Sequence, residues 1–235
     1  VFLRQIRDSL LVGLETVDGF VREHPCCIAE QASTLENVVD DNRQHDVELE
    51  VAALGRHGVG LVQPHDLGRH QAGPRCAQVL ARMGAEVIKV ERLGGEETRY
   101  HGPWVRKQSS YWVQYNSGKK SLSMDLRKEP AKEILRKLVK VSDVVVQNFR
   151  PGTIEKMGFG YEVLKELNPK IIMVNVSAYG QFGPYSENIG YDPIGQTMSG
   201  ITMVTGEEGM PPIRTGVPII DRITSLHADI GTLSA

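Results

Sequence analysis

The chain has 235 residues, 40% hydrophobic and 24% charged, with a formal net charge of -2. That is ordinary globular composition, long enough for one large α/β domain or two small ones, and its interspersed acids and bases offer no basic face for nucleic acid. No apolar run approaches the roughly 20 residues that span a bilayer, and the start lacks a secretory pattern; with Cys26, Cys27 and Cys76 forming no disulfide framework, a soluble protein in a reducing, cytoplasmic setting is the expectation.

Residues 1–66 give no clean succession of strands and helices. Phe2 to Val12 has some helical spacing through Leu3, Ile6, Leu10 and Leu11, Glu30 to Asp46 is polar, and Val47 to Leu61 turns from apolar to Gly-rich. His24, His45, His57 and His65 follow no metal-ligand spacing, and adjacent Cys26 and Cys27 are no ligand pair, so no metal is expected. The region is set apart as an extension of unknown role, a candidate for disorder or for sequence foreign to the domain that begins at residue 67.

From Gly68 the pattern sharpens. Gly73-Pro74 precedes a helix predicted from Arg75 to Met83, apolar at Cys76, Val79, Leu80 and Met83 and ended by Gly84. Glu86 to Glu91 reads as a short strand, followed by a loop at Leu93-Gly94-Gly95. Further strands are predicted at Tyr111 to Tyr115 and Ser121 to Leu126. An amphipathic helix from Pro130 to Lys140 aligns Ala131, Ile134, Leu135, Leu138 and Val139 on one face, with Pro130 in its first turn. Asp143 to Val146 reads as a buried strand, Leu164 to Leu167 as a short helix, and Lys170 to Val176 as another apolar strand. This alternation implies an α/β fold, a parallel sheet flanked by helices.

In such sheets ligands lie beyond the carboxyl ends of the strands, here at Glu91-Arg92, Gln147-Asn148-Phe149 and Ser177 to Gly180. Arg92 could hold phosphate bidentately, or pair with Glu91 or Glu96 at the surface. Asn148, beside a helix opened by Pro151, suits an amide or phosphate, or simply ends its strand. No G-x-G-x-x-G follows the first strand, and P-loop and G-x-S-x-G patterns are absent, so nicotinamide and flavin sites are poorly supported. Asp221 falls in the first turn of a helix whose apolar stripe is Ile219, Ile223, Leu226, Ile230 and Leu233; its own face carries Thr224, Ser225 and Ala228, small enough for a ligand to approach. A helix N-terminus favours the ionised carboxylate that a nucleophile needs, and an acid there also simply complements the dipole.

Several strings together resemble the class III CoA-transferases, the group of formyl-CoA transferase and carnitine CoA-transferase, with alpha-methylacyl-CoA racemase as a relative. They are Gln71-Ala72-Gly73-Pro74, Gly84 to Arg92, Asn116 with Lys119-Lys120-Ser121, Met124-Asp125-Leu126, Asp143 to Gly152, Met157-Gly158, Leu167-Asn168-Pro169, Gly180 to Tyr185, Gly190-Tyr191-Asp192 and Pro212 to Asp221. The resemblance implies a Rossmann-like large domain and, at full length, a homodimer of two interlocked chains. It implies transfer of CoA from an acyl-CoA to a carboxylate acceptor, with coenzyme A as substrate and no tightly bound cofactor. Asp221 stands where the family has its nucleophile, which forms a mixed anhydride and then an aspartyl-CoA thioester. Gln71 and Ala72 would contact the thioester end of CoA, Arg92 its phosphate or adenine, and Asn148, Lys156 and Met157 the same groove. The family's first strand is expected just before His70, where Gly60 to Leu67 is a weak version interrupted by Pro64. Its second, smaller domain and Gly-rich covering loop are expected beyond Ala235, so 67–235 reads as the truncated N-terminal part of the large domain. Racemisation is the near alternative, but Gly190-Tyr191-Asp192 puts a tyrosine where the racemase has a histidine base. A fragment that only binds CoA or a partner chain is the reading from another class.

Overall fold

The computed structural model of the chain describes residues 62–235. The expectations for residues 1–61, including the helical spacing near Phe2 and the cysteines Cys26 and Cys27, lie outside the described residues.

The elements in chain order are β1 (Pro64–Asp66), α1 (Ala72–Arg82), β2 (Ile88–Glu91), a 3-10 turn (Glu97–Tyr100), β3 (Trp104–Val105), β4 (Gln108–Ser109), α2 (Ser110–Asn116), β5 (Lys120–Ser123), α3 (Glu129–Val141), β6 (Val144–Gln147), α4 (Thr153–Lys156), α5 (Tyr161–Leu167), β7 (Ile172–Asn175), α6 (Asp192–Met198), a second 3-10 turn (Ile201–Met203) and α7 (Ile219–Ser234). Five strands form one parallel sheet in the order β5-β2-β1-β6-β7. The chain builds outward from β1 through β2 to β5, then crosses back to β6 and β7. The reversal falls between β1 and β6, and the crevice beyond their carboxyl ends is where an open α/β sheet receives ligands.

Helices cover both faces. Val145 joins Ile88, Val90, Leu135, Leu138, Ile154 and Leu164 on one side, while Val144 and Val146 join Cys76, Ala77 and Val87 on the other. A strand buried on both faces reads as an unbroken apolar run, as β6 does. The predicted face of α3 is the one it buries, through Ala131, Leu135, Leu138 and Val139. No helix of the described residues is long and apolar enough to cross a membrane.

Three details depart from expectation. Pro64 does not interrupt the central strand: it is its first residue, where a missing N–H costs little of the ladder. Tyr111 to Tyr115, predicted as a strand, lies in α2. Ser109 Oγ caps that helix by accepting the Trp112 amide at 3.0 Å. Tyr111 and Tyr115, four residues apart, meet edge to face at 5.0 Å. The third departure is α7, whose apolar stripe faces outward. Ile230 is 63% and Leu233 60% exposed, whereas Ser225, Asp229 and Thr232 are buried. The small face expected to be open to a ligand is packed inward, with Ala228 against the cluster of Cys76, Val144 and Val146. Small side chains let α7 lie close on the domain, which the bulky stripe would not.

Candidate active site

The loop after β1 is held at nearly every polar backbone group. The Gly68 amide donates to Asp66 Oδ1 at 2.8 Å, and the Gly68 carbonyl accepts from Lys89 Nζ. Arg69 and Asn148 bond reciprocally: the Arg69 amide donates to Oδ1 and Nδ2 donates to the Arg69 carbonyl, each at 2.7 Å. The His70 amide donates to Glu96 Oε1 at 2.6 Å. Gly68 has no space for a side chain, since a Cβ there would sit 2.9 Å from Asp66 Oδ1 and 3.0 Å from Pro74 Cδ.

Beneath the loop lies a buried charge cluster. Lys119 Nζ donates to Asp66 Oδ2 at 2.6 Å, to the Pro74 carbonyl at 2.7 Å and to Asn116 Oδ1 at 2.9 Å. Lys89 Nζ lies 3.0 Å from Glu96 Oε2 and 3.4 Å from Asp66 Oδ2. Burial alone would raise the Asp66 carboxyl, but the two ammonium groups outweigh it and hold it below the usual range. Burial, opposed by the pull of Asp66, brings Lys119 down to about 8. Charges this deep are costly unless paired, so the cluster works as a unit. Alongside it Arg99 grips Glu91 with two donors, at 2.5 and 2.7 Å, and its guanidinium stacks 3.8 Å from the Trp112 ring centroid.

These fixed groups present Gln71 at the head of α1. Its side chain is buried, and Tyr111 Oη donates to Oε1 at 3.4 Å while Nε2 has no partner. Burial raises Tyr111 and Tyr115, and Asp221, approaching from α7, adds to both through its charge. Burial first, and the carboxylate of Asp192 second, push Asp221 up to about 6. Asp192 Oδ1 accepts the amides of Ile220 at 2.8 Å and Asp221 at 3.2 Å. His70, in a left-handed backbone conformation (φ 62°), meets Tyr191 edge-on at 6.0 Å between ring centroids.

The fold thus brings Gln71, Ala72 and Asn148 to the β1–β6 crevice, and Asp221 is linked to Gln71 through Tyr111, on which its charge acts. Arg92 stands apart on the surface after β2. Its Nε donates to the Gly95 carbonyl at 2.9 Å, and neither surface partner weighed for it is taken: Glu91 pairs with Arg99 and Glu96 with Lys89. Lys156 ends α4 in solvent, and Met157 packs partly against the core. Tyr111 escaped the sequence reading because its segment was assigned to a strand. Asp192 was visible only as the last residue of the Gly190-Tyr191-Asp192 string. Among the described residues no group of three His, Cys, Asp or Glu side chains could hold a metal ion.

Residues 65–235 match the sequence model of CoA-transferase family III. The chain is 43% identical over 201 residues to an acyl-CoA transferase of Fusarium pseudograminearum, covering 81% of this chain and 44% of that protein. It is 42% identical over 165 residues to the human succinyl-CoA:glutarate CoA-transferase, covering 69% and 38%. Among solved structures, a CAIB/BAIF family protein from Brucella suis superposes with a TM-score of 0.71 at 39% identity, over 74% of this chain and 47% of that one. The chain spans less than half the length of these curated relatives.

Proposed function

Because the chain belongs to CoA-transferase family III, we propose that it is the CoA-binding, aspartate-bearing part of an enzyme that moves CoA from an acyl-CoA donor to a carboxylate acceptor. The carrying observation is a half-buried carboxylate, Asp221, whose charge reaches Tyr111, and a buried amide donor, Gln71 Nε2, that has no partner among the described residues and whose carbonyl Tyr111 holds. Tyr111 donates to the Gln71 carbonyl oxygen, which leaves the Nε2 donor as the group that would serve a ligand.

An Asp221 oxygen attacks the thioester carbonyl. The C–S bond breaks, CoA thiolate leaves, and a mixed anhydride of Asp221 and the donor acyl group forms. Gln71 Nε2 donates to the oxygen on which charge develops. The thiolate then attacks the Asp221 carbonyl carbon, releasing the donor carboxylate and leaving an aspartyl-CoA thioester. The acceptor carboxylate attacks this thioester and expels the thiolate again. The thiolate finally takes the acceptor acyl group, freeing Asp221. An aspartate suits this exchange because the sequence as a whole trades one thioester for another, with each anhydride discharged by the thiolate.

Ala72, at the amide end of α1, faces the thioester with Gln71, where the helix N-terminus favours developing negative charge. Arg92, without an ion pair among the described residues, and solvent-facing Lys156 meet the phosphates, while Met157 lines the same groove. Asn148 serves it by fixing Arg69, since both ends of its amide are engaged. The CoA-binding unit takes in β1 as well as 67–235. A second copy covers the outward stripe of α7 in a dimer of the protein at its natural length.

The test is incubation of that protein with a panel of acyl-CoA donors, followed by mass spectrometry of the Asp221 peptide. A CoA adduct is expected, together with transfer to carboxylate acceptors. Asp221→Asn or Asp221→Ala should abolish both; transfer that persists in either variant rejects Asp221 as nucleophile.

A further inference from the structure

The first amides of a helix need acceptors from outside it. Those of α7 get none from its own N-cap, because Pro218 supplies no side-chain cap. Asp192, the buried first residue of α6, takes the role from 28 and 29 positions upstream, with Oδ1 on the amides of Ile220 and Asp221. Its other oxygen accepts from Gln196 Nε2 at 2.6 Å. Gln196, itself 1% exposed, accepts the Thr215 amide on Oε1 at 2.8 Å and donates to the Val217 carbonyl at 3.3 Å. One carboxylate and one carboxamide therefore fix the whole approach to α7, residues 215–221. The two helices touch closely there: a Cβ on Gly195 would sit 2.6 Å from Ile220 Cγ2.

We propose that Asp192 is a positioning residue for Asp221, fixing the first turn of α7 and holding a second negative charge against the nucleophile, with Gln196 as its brace. This rests on Asp221 as the nucleophile proposed above. The other groups around Asp221 do not oppose that charge. From α2 come Tyr111 and Tyr115, both raised and so neutral. Arg222, next along α7, and Arg75 of α1 both act on Tyr115, and Arg75 also on Asp229. With no cation among the described residues drawing on it, Asp221 is raised by burial and by Asp192. A carboxylate of that affinity is a better nucleophile than an ordinary one and is still ionised at neutral pH.

Asp192→Ala and Asp192→Asn separate place from charge, measured in the protein at its natural length. Asp192→Ala loses the cap, and kcat should fall about 10- to 100-fold with KM for acyl-CoA changed less than about threefold. Asp192→Asn keeps an acceptor oxygen, so kcat at neutral pH should stay within about threefold of wild type. The same variant removes the charge, so the acid limb of the kcat/KM profile should move to lower pH. A 13C titration of the Asp221 carboxyl, identified by its disappearance in Asp221→Asn, should move the same way. The proposal is overturned if both variants keep wild-type kcat and acid limb, or if the Asp221 titration is the same in Asp192→Asn as in wild type. A wild-type protein that forms no CoA adduct removes the nucleophile assignment instead, and the titration still decides whether Asp192 acts on Asp221.

Discussion

At the residue scale, two buried titrations set opposing pH dependences. His65 is fully buried in β1, and burial, only partly offset by the backbone of Leu138 and Pro64, lowers it to about 4. Above pH 6.5 both folded and unfolded forms are neutral there. Below it the unfolded chain takes up a proton that the folded chain refuses, so stability falls towards pH 4 by roughly 3 kcal/mol. Asp221 runs the other way. Its folded form holds a proton up to about 6, so its contribution is greatest below the ordinary value near 3.8 and is lost as pH rises through 6. The windows overlap, so each effect is read as a difference from wild type in denaturant unfolding. His65→Leu should flatten the fall between pH 6.5 and 4. Asp221→Asn should raise stability at pH 7 by about 1–2 kcal/mol, after allowance for solvent screening of a half-buried group, while abolishing transfer. A variant no more stable than wild type would mean that the site imposes no such strain on the carboxylate.

At the element scale, α2 shows how a short run is decided. Tyr111 to Tyr115 is aromatic and β-branched, a composition shared by strands and buried helices, and five residues are too few for a period to speak. Ser109 settles the matter by capping the helix while bonding the carbonyls of Thr98 and His101. Ser109→Ala should therefore lower unfolding free energy by about 1–2 kcal/mol and loosen Tyr111 from Gln71. Denaturant titration reports the first effect, and a fall in kcat the second; a change within about 0.3 kcal/mol would show that the cap contributes nothing. By contrast α3 is legible because its apolar spacing covers 13 residues and fixes both type and face, and β6 and β7 because each lies in an unbroken apolar run of the kind a strand covered by helices carries.

At the scale of the whole molecule, the outward stripe of α7 is the unfinished part. Ile223, Leu226, Ile230 and Leu233 are all exposed, and contiguous apolar surface of this kind marks an interface. Replacing Leu226 and Ile230 by Gln should change the unfolding free energy of the single chain by less than about 0.5 kcal/mol per site. Analytical ultracentrifugation of the protein at its natural length should then shift from two chains towards one. If the stripe were covered within the chain instead, each change would cost about 2–5 kcal/mol, as in a core, with no shift in sedimentation.

The sequence by itself determined the parallel α/β frame, the strand-end positions of Arg92 and Asn148, and the strings carrying Gln71 and Asp221. Each of these rests on local spacing or on an ordered set of short motifs. Only the tertiary structure decided that the small polar face of α7 packs inward, that Tyr111 holds Gln71, and that Asp192 receives the amides of Ile220 and Asp221. The two hydrogen-bonded pairings join residues 28 to 40 positions apart, and the packing of α7 reaches further still. Periodicity identifies an apolar face without naming what covers it, and a carboxylate without naming the amides it meets, because both partners are chosen by how the layers stack.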